Sequence, residues 1–203
     1  MDELLKNLNE EQIKPVCDTE GAVLVLAGAG SGKTRVLTSR IAYILREEKA
    51  SLSEILAITF TNKAAGEMKE RLQRMLGDGA GESKWICTIH SMCVKILRQF
   101  ADKAGIKSNF SIYSETERSN VIKKAFAELD FDDEKLLKNA KYHIGNAKML
   151  GMSPEEYGQK YAYEQGIDNV VVIYEKYDKH LKENNALDFD DLLTETLRLL
   201  QRD

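Results

Sequence analysis

Between Ala27 and Thr34 the chain reads AGAGSGKT, three glycines alternating with small residues and ending in a lysine and a hydroxyl. Residues of these types can cradle phosphate. Glycine lets the backbone curl so that successive N–H groups point inward. A helix beginning at the same place adds free N–H groups and the positive end of its dipole. Lysine reaches the terminal phosphates of a nucleotide, and the hydroxyl after it can hold magnesium. Ala27, Gly28, Ala29, Gly30, Ser31 and Gly32 would form the loop, with Lys33 and Thr34 as the catalytic pair and Thr34 as the metal ligand. The usual pattern G-x-x-x-x-G-K-[ST] has glycine where Ala27 stands, so a glycine-rich turn with an incidental lysine is the competing reading. The apolar run before the loop and the helical pattern after it favour ATP and Mg²⁺.

A second cluster, LDFDDLL (Leu187–Leu193), sets three carboxylates within four residues. Asp188 and Asp191 lie three apart, within reach of one helix face, so a metal pair or an acid/base pair is one reading. The other is a helix start, where acidic residues are favoured by capping and by the dipole. The cluster's position at the head of an amphipathic stretch favours the helix start. Cys17, Cys87 and Cys93 match no zinc spacing, and their odd count argues against a disulfide framework, which suits a reducing cytoplasm.

The loop must be positioned by a strand and a helix, and both are legible. AVLVLA (Ala22–Ala27) reads as a buried strand. KTRVLTSRIAYILREE puts Leu37, Ile41, Ile44 and Leu45 on one helical face. ILAITFT (Ile55–Thr61) reads as the next strand, which completes a βαβ unit. A helix from KAAGEMKERLQRML, a short strand around WICTI and a helix from HSMCVKILRQFA continue the alternation. The expected fold class is therefore α/β, a parallel sheet with helices on both faces. After residue 112 the pattern turns helical. SETE (Ser114–Glu117) is a capping box, and SPEE (Ser153–Glu156) is a second cap with Pro154 at the first helical position. No strand is expected beyond Tyr113. Residues 1–111, 112–187 and 188–203 are expected to form a partial motor domain, a helical insertion and a helix leading back.

The chain carries a formal charge of −4, unevenly spread: residues 60–125 hold 12 basic against 7 acidic groups, residues 126–203 hold 10 against 17. A basic middle permits a phosphate-binding surface without proving one. No apolar run reaches the length of a membrane span, so no membrane partner is expected.

Taken with LNEEQ (Leu8–Gln12), ITFTNKAAGEM (Ile58–Met68), TIHSMC (Thr88–Cys93) and LDFDDLL, the loop resembles that of the UvrD/PcrA/Rep family of superfamily 1 DNA helicases, most of all its PcrA-type members. That family writes its phosphate loop A-x-x-G-x-G-K-T, with alanine first, so Ala27 is the family's own variant. The resemblance implies a RecA-like P-loop fold carrying an all-helical insertion. It further implies a 3′–5′ ATP-dependent helicase of DNA repair or replication, bound to single-stranded DNA and to junctions with duplex. Gln12 matches the family's adenine-reading glutamine and Arg35 the arginine that packs on the adenine face. Phe60 matches an aromatic that stacks on bases of the tracked strand, although a core phenylalanine would look the same in sequence. Thr61, Asn62 and Lys63 match a group that holds backbone phosphate, and Thr88 and His90 the next DNA-contacting motif.

The family's acidic motif, of the D-E-x-Q-D type, and its second motor domain are not found in these 203 residues. The resemblance therefore implies an N-terminal portion of a helicase, expected to bind nucleotide weakly and not to unwind alone. The alternative is a non-hydrolysing nucleotide- and DNA-binding module.

Overall fold

The computed structural model describes residues 4–28, 30–77 and 79–202. The chain divides into two compact units, one up to Met92 and the other from Cys93 onward.

In the first unit, helix α1 (Glu10–Cys17) opens on a capping box. Asn9 accepts from the Gln12 backbone, and the Gln12 side chain accepts from the Asn9 backbone. Helix α2 (Lys33–Arg46) follows the phosphate loop and buries Val36, Ile41 and Ala42. Strand β1 (Ala57–Thr59) pairs in parallel with β2 (Ile86–Thr88), with Thr59 opposite Thr88. Between them runs α3 (Asn62–Leu76), capped by the Thr61 hydroxyl accepting from Ala64 N–H. Ile41, Ala42, Ala57, Met68, Leu72 and Ile86 form this unit's core, so each element donates its apolar side to one cluster. Helix α4 (Ile89–Gln99) carries the chain onward.

One expectation fails here. Ala22–Ala27 is not a buried strand: the segment pairs with no strand among the described residues, and Leu24 and Leu26 are 83% and 87% exposed. A parallel strand exists only by its ladder, and among the described residues the ladder of this unit joins β1 to β2 alone. Apolar composition made the segment fit for a sheet interior without supplying a neighbour.

The second unit holds α5 (Ala101–Ala104), β3 (Ser111–Ile112), α6 (Glu115–Ala127), α7 (Glu134–Met149), α8 (Pro154–Lys160), α9 (Ile167–Glu183), β4 (Ala186–Leu187) and α10 (Phe189–Arg202). The capping boxes at Ser114/Glu117 and Ser153/Glu156 both form, and Pro154 takes the first helical turn. The core draws on Ile122, Phe126, Ile144, Tyr157, Ile173 and Tyr177, from four successive helices. The expectation of no strand beyond Tyr113 is corrected by β4, which pairs in parallel with β3 over two residues. Two residues carry no periodicity, so this ladder leaves no mark in sequence.

Candidate nucleotide and nucleic-acid sites

The phosphate loop folds as glycine permits. Gly30 and Gly32 sit at φ 76° and 87°, in the left-handed region that side chains resist. Gly32 is also the N-cap of α2, and a Cβ there would lie 3.0 Å from Gln12 Nε2. Unlike α1, α6 and α8, helix α2 has no side-chain cap and no acidic residue in its first turn. Its leading N–H groups therefore receive no side-chain acceptor at the cap position. Lys33 folds back over the loop, its Nζ donating to Gly28 O at 2.6 Å and Ala27 O at 3.1 Å. Ser31 Oγ also donates to Gly28 O. The ammonium thus rests on neutral carbonyls, with no carboxylate partner among the described residues. Thr34 and Arg35 follow on the exposed side of the same turn. Ala29 lies outside the described residues.

Gln12 reaches across to this loop, and Arg35 reaches away from it. Gln12 Nε2 donates to Ser31 O at 3.0 Å while its Oε1 accepts from Asn9 N–H, so both ends of the amide are engaged. Arg35 Nη1 donates to Asn7 O at 3.3 Å, linking α2 to the segment ahead of α1. Arg40, which sequence reasoning missed, donates to Pro15 O and Asp18 O and braces the far end of α1. No motif marks it.

A different set gathers at the carboxyl ends of β1 and β2. The register that sets Thr59 opposite Thr88 puts the residues following each strand side by side. Phe60 is fully exposed there, 103% by accessible surface, so the core-phenylalanine reading is excluded. Thr61 is spent as the cap of α3, and Asn62 and Lys63 form its exposed first turn. Thr88 Oγ1 accepts from Ser91 N–H and donates to Ser91 Oγ, fixing the start of α4 beside half-buried His90. Phe60 thus stands exposed one residue ahead of the Thr61 cap of α3.

The LDFDDLL cluster resolves as a helix start. Asp188 accepts from Asp191 N–H at 2.9 Å, and Asp191 accepts from Asp188 N–H at 3.1 Å, a reciprocal cap on α10. Among the described residues no group of acidic, histidine or cysteine side chains is placed to hold a metal ion. What sequence reasoning missed is the counter-charge. Lys148, 4% exposed, donates from Nζ to Asp188 Oδ2 and Asp191 Oδ2, each at 2.7 Å. Tyr177 OH donates to the same Asp188 oxygen at 2.6 Å. Arg118 stands farther off, its Nε 3.8 Å from Asp188 and its Nη2 3.9 Å from Asp190, and neither nitrogen has a hydrogen-bond partner among the described residues. Its path depends on Gly145, where a Cβ would come within 2.9 Å of Nη2.

These contacts split the two carboxyls. Burial opposes ionisation of Asp188, but the Lys148 charge and the hydrogen bonds from Lys148, Tyr177 and the Asp191 backbone outweigh it and hold the group below its usual value. Asp191 is pushed up to about 6, chiefly by burial and further by the Asp188 charge, against the pull of Lys148. The folded state therefore holds the Asp191 proton more tightly than the unfolded chain does. Stability from this proton is fully present below about pH 4 and is lost as pH rises through about 6. Asp191→Asn should remove that loss, so the variant should gain on the order of 2–3 kcal/mol relative to the wild type between pH 4 and pH 7. Urea unfolding at the two pH values checks this, and a constant difference between the proteins would refute it.

A family model described as the UvrD/REP helicase N-terminal domain matches residues 8–203. The chain belongs to the UvrD/REP helicase family. It is 47% identical over 205 aligned residues to the ATP-dependent DNA helicase PcrA of Staphylococcus aureus and 46% identical to that of Staphylococcus epidermidis. Each alignment covers all of this chain and 28% of the relative, so the chain spans a little over a quarter of their length. Family membership brings a P-loop NTPase fold, in keeping with the mixed helices and parallel strands of both units. Among the described residues no helix is long and apolar enough to cross a membrane.

Proposed function

We propose that the chain is the ATP-binding N-terminal part of a 3′–5′ DNA helicase that works on single strands and their junctions with duplex during repair or replication in the cytoplasm. The observation that carries the reading is the uncapped start of α2, preceded by two left-handed glycines, begun by Lys33 and without an acidic residue in its first turn. ATP fits these residues: the α2 N–H groups and Lys33 would bind the phosphates, and Thr34 would hold Mg²⁺. Bound ATP would supply the phosphoryl group whose transfer drives the motor. Gln12 and Arg35 would receive the adenine, with Gln12 also bracing the loop through Ser31. On this reading residues 1–111 belong to the first motor domain, 112–187 to a helical insertion and 188–203 to the return. The chain alone binds nucleotide without unwinding, because neither the family's acidic motif nor its second motor domain is found in these 203 residues.

Titration of the 203-residue chain with fluorescent ADP and magnesium tests the reading. Saturable binding is expected, and a folded protein that binds nothing would sink it. For DNA, Phe60 is the first residue to change. A base stacked on an aromatic side chain is worth about 1–3 kcal/mol, so Phe60→Ala should weaken single-strand affinity about five- to a hundredfold. The ring is fully exposed, so stability should not fall. Undiminished affinity in fluorescence anisotropy would remove Phe60 from the DNA surface.

A further inference from the structure

Helix α1 is too short to hold itself in place. Its 8 residues fall below the length at which a helix persists alone in water. Pro15 removes one of its internal bonds, because proline has no N–H to give to Glu11 O. Val16 is its buried anchor. Yet α1 carries Gln12, whose Nε2 donates to Ser31 O and would stand 3.0 Å from a Cβ on Gly32. A contact that close is lost if α1 slides or turns even slightly.

The grip comes from α2. Arg40 lies seven residues along that helix from Lys33, about 10 Å at the rise of an α-helix. Its Nη1 donates to Pro15 O and to Asp18 O. Both oxygens belong to the last carbonyls of α1, which a helix end leaves without internal partners, and a cation there also meets the negative end of the dipole. Two points therefore hold α1. The loop at the head of α2 takes Gln12, and Arg40 takes the C-terminal carbonyls. Lys49 ties the same region from beyond α2, donating to Thr19 Oγ1 at 2.7 Å. Thr19 lies past the end of α1, so that contact holds the exit of the helix rather than the helix.

We infer that Arg40 is a positioning residue of the nucleotide site: by gripping the C-terminal end of α1 it sets Gln12 against the phosphate loop. The inference rests on the reading of that loop as a nucleotide site. Arg40 acts through Gln12, and its two contacts involve neither the loop backbone nor Lys33.

The test is a double-mutant cycle on ADP affinity, read by calorimetry with magnesium on the whole chain. Arg40→Ala should weaken ADP binding about three- to tenfold, the worth of one lost hydrogen bond. In a Gln12→Ala background the same change should have little further effect, because the group that Arg40 positions is gone. Arg40→Lys should recover part of the affinity, since an ammonium can still meet the two carbonyls. If the alanine variant does not fold, Arg40→Met takes its place in the cycle, keeping the apolar stem and dropping the donors. Losses that add in full across the cycle would overturn the inference, and so would wild-type affinity in a folded Arg40→Ala. A wild-type chain that binds no ADP would sink the nucleotide reading and this inference with it, and that result is seen before any variant of Arg40 is made.

Discussion

Lys148→Ala is expected to cost the second unit about 3–5 kcal/mol, the usual penalty for removing one partner from a buried ion cluster. Lys148 neutralises two carboxylates at once, both at 2.7 Å, and Asp188 is only 1% exposed. Arg118 cannot take over, since its nearest approach to Asp188 is 3.8 Å and its path is fixed against Gly145. Alanine would therefore leave two like charges on one helix cap, away from water. Small domains hold about 5–15 kcal/mol in total, so the loss is a large fraction of what exists. Two rescues separate charge from lost packing. The double variant Lys148→Ala/Asp191→Asn should recover part of the loss by removing one charge. Lowering the pH to about 4 should do the same in the single variant, because burial already pushes the Asp191 carboxyl up and the variant lacks the opposing pull of Lys148. Urea unfolding followed by circular dichroism measures all three. A single-variant loss below about 1 kcal/mol would show that the cluster is solvated.

Lys33→Ala should leave stability nearly unchanged and lower ADP affinity about a hundredfold or more. The side chain is exposed and holds only two loop carbonyls, so little folding energy rests on it. Toward phosphate the balance differs. Exchanging neutral carbonyls for phosphate oxygens gives the ammonium an acceptor of opposite charge, so each hydrogen bond also becomes an ion pair. Each such bond contributes about 1.5–3 kcal/mol, and an alanine makes none. Fluorescent ADP with magnesium reads the affinity, and the melting temperature reads the fold. Unchanged affinity would mean that the α2 N-terminus binds nucleotide without the lysine, or that the nucleotide sits elsewhere.

What could be read in the sequence was what is local. The glycine–lysine loop, the caps at Ser114, Ser153 and Asp188, and the helical stripes all act over three or four residues, so their geometry follows from spacing. The exposure of Phe60 was undecidable, because β-branched and aromatic residues at a strand end look alike whether or not they face the core. The Lys148 cluster was invisible: its partners lie forty and forty-three residues away, and an isolated lysine on a helix reads as solvated. Gln12 was read as a match to an adenine-reading glutamine, and its contact with Ser31, nineteen residues on, left no mark in the sequence. The failure at Ala22–Ala27 has the same root. Whether an apolar run becomes a strand is settled by its neighbour, and a neighbour is a property of the whole chain.

The short ladder between β3 and β4 carries an implication about the order of events in folding. Its contacts join positions about seventy-five residues apart, through Ser111 N–H to Asn185 O and Tyr113 N–H to Leu187 O. Closing a loop of that length is entropically unfavourable, and the net gain from a hydrogen bond is only about 1 kcal/mol. Two such bonds cannot assemble the unit by themselves. The helices between them must first collapse onto Ile144, Tyr157 and Ile173 and bring the two ends of the excursion together. The ladder is thus a seal set by a finished core, and its register is inherited from the packing of α6 to α9.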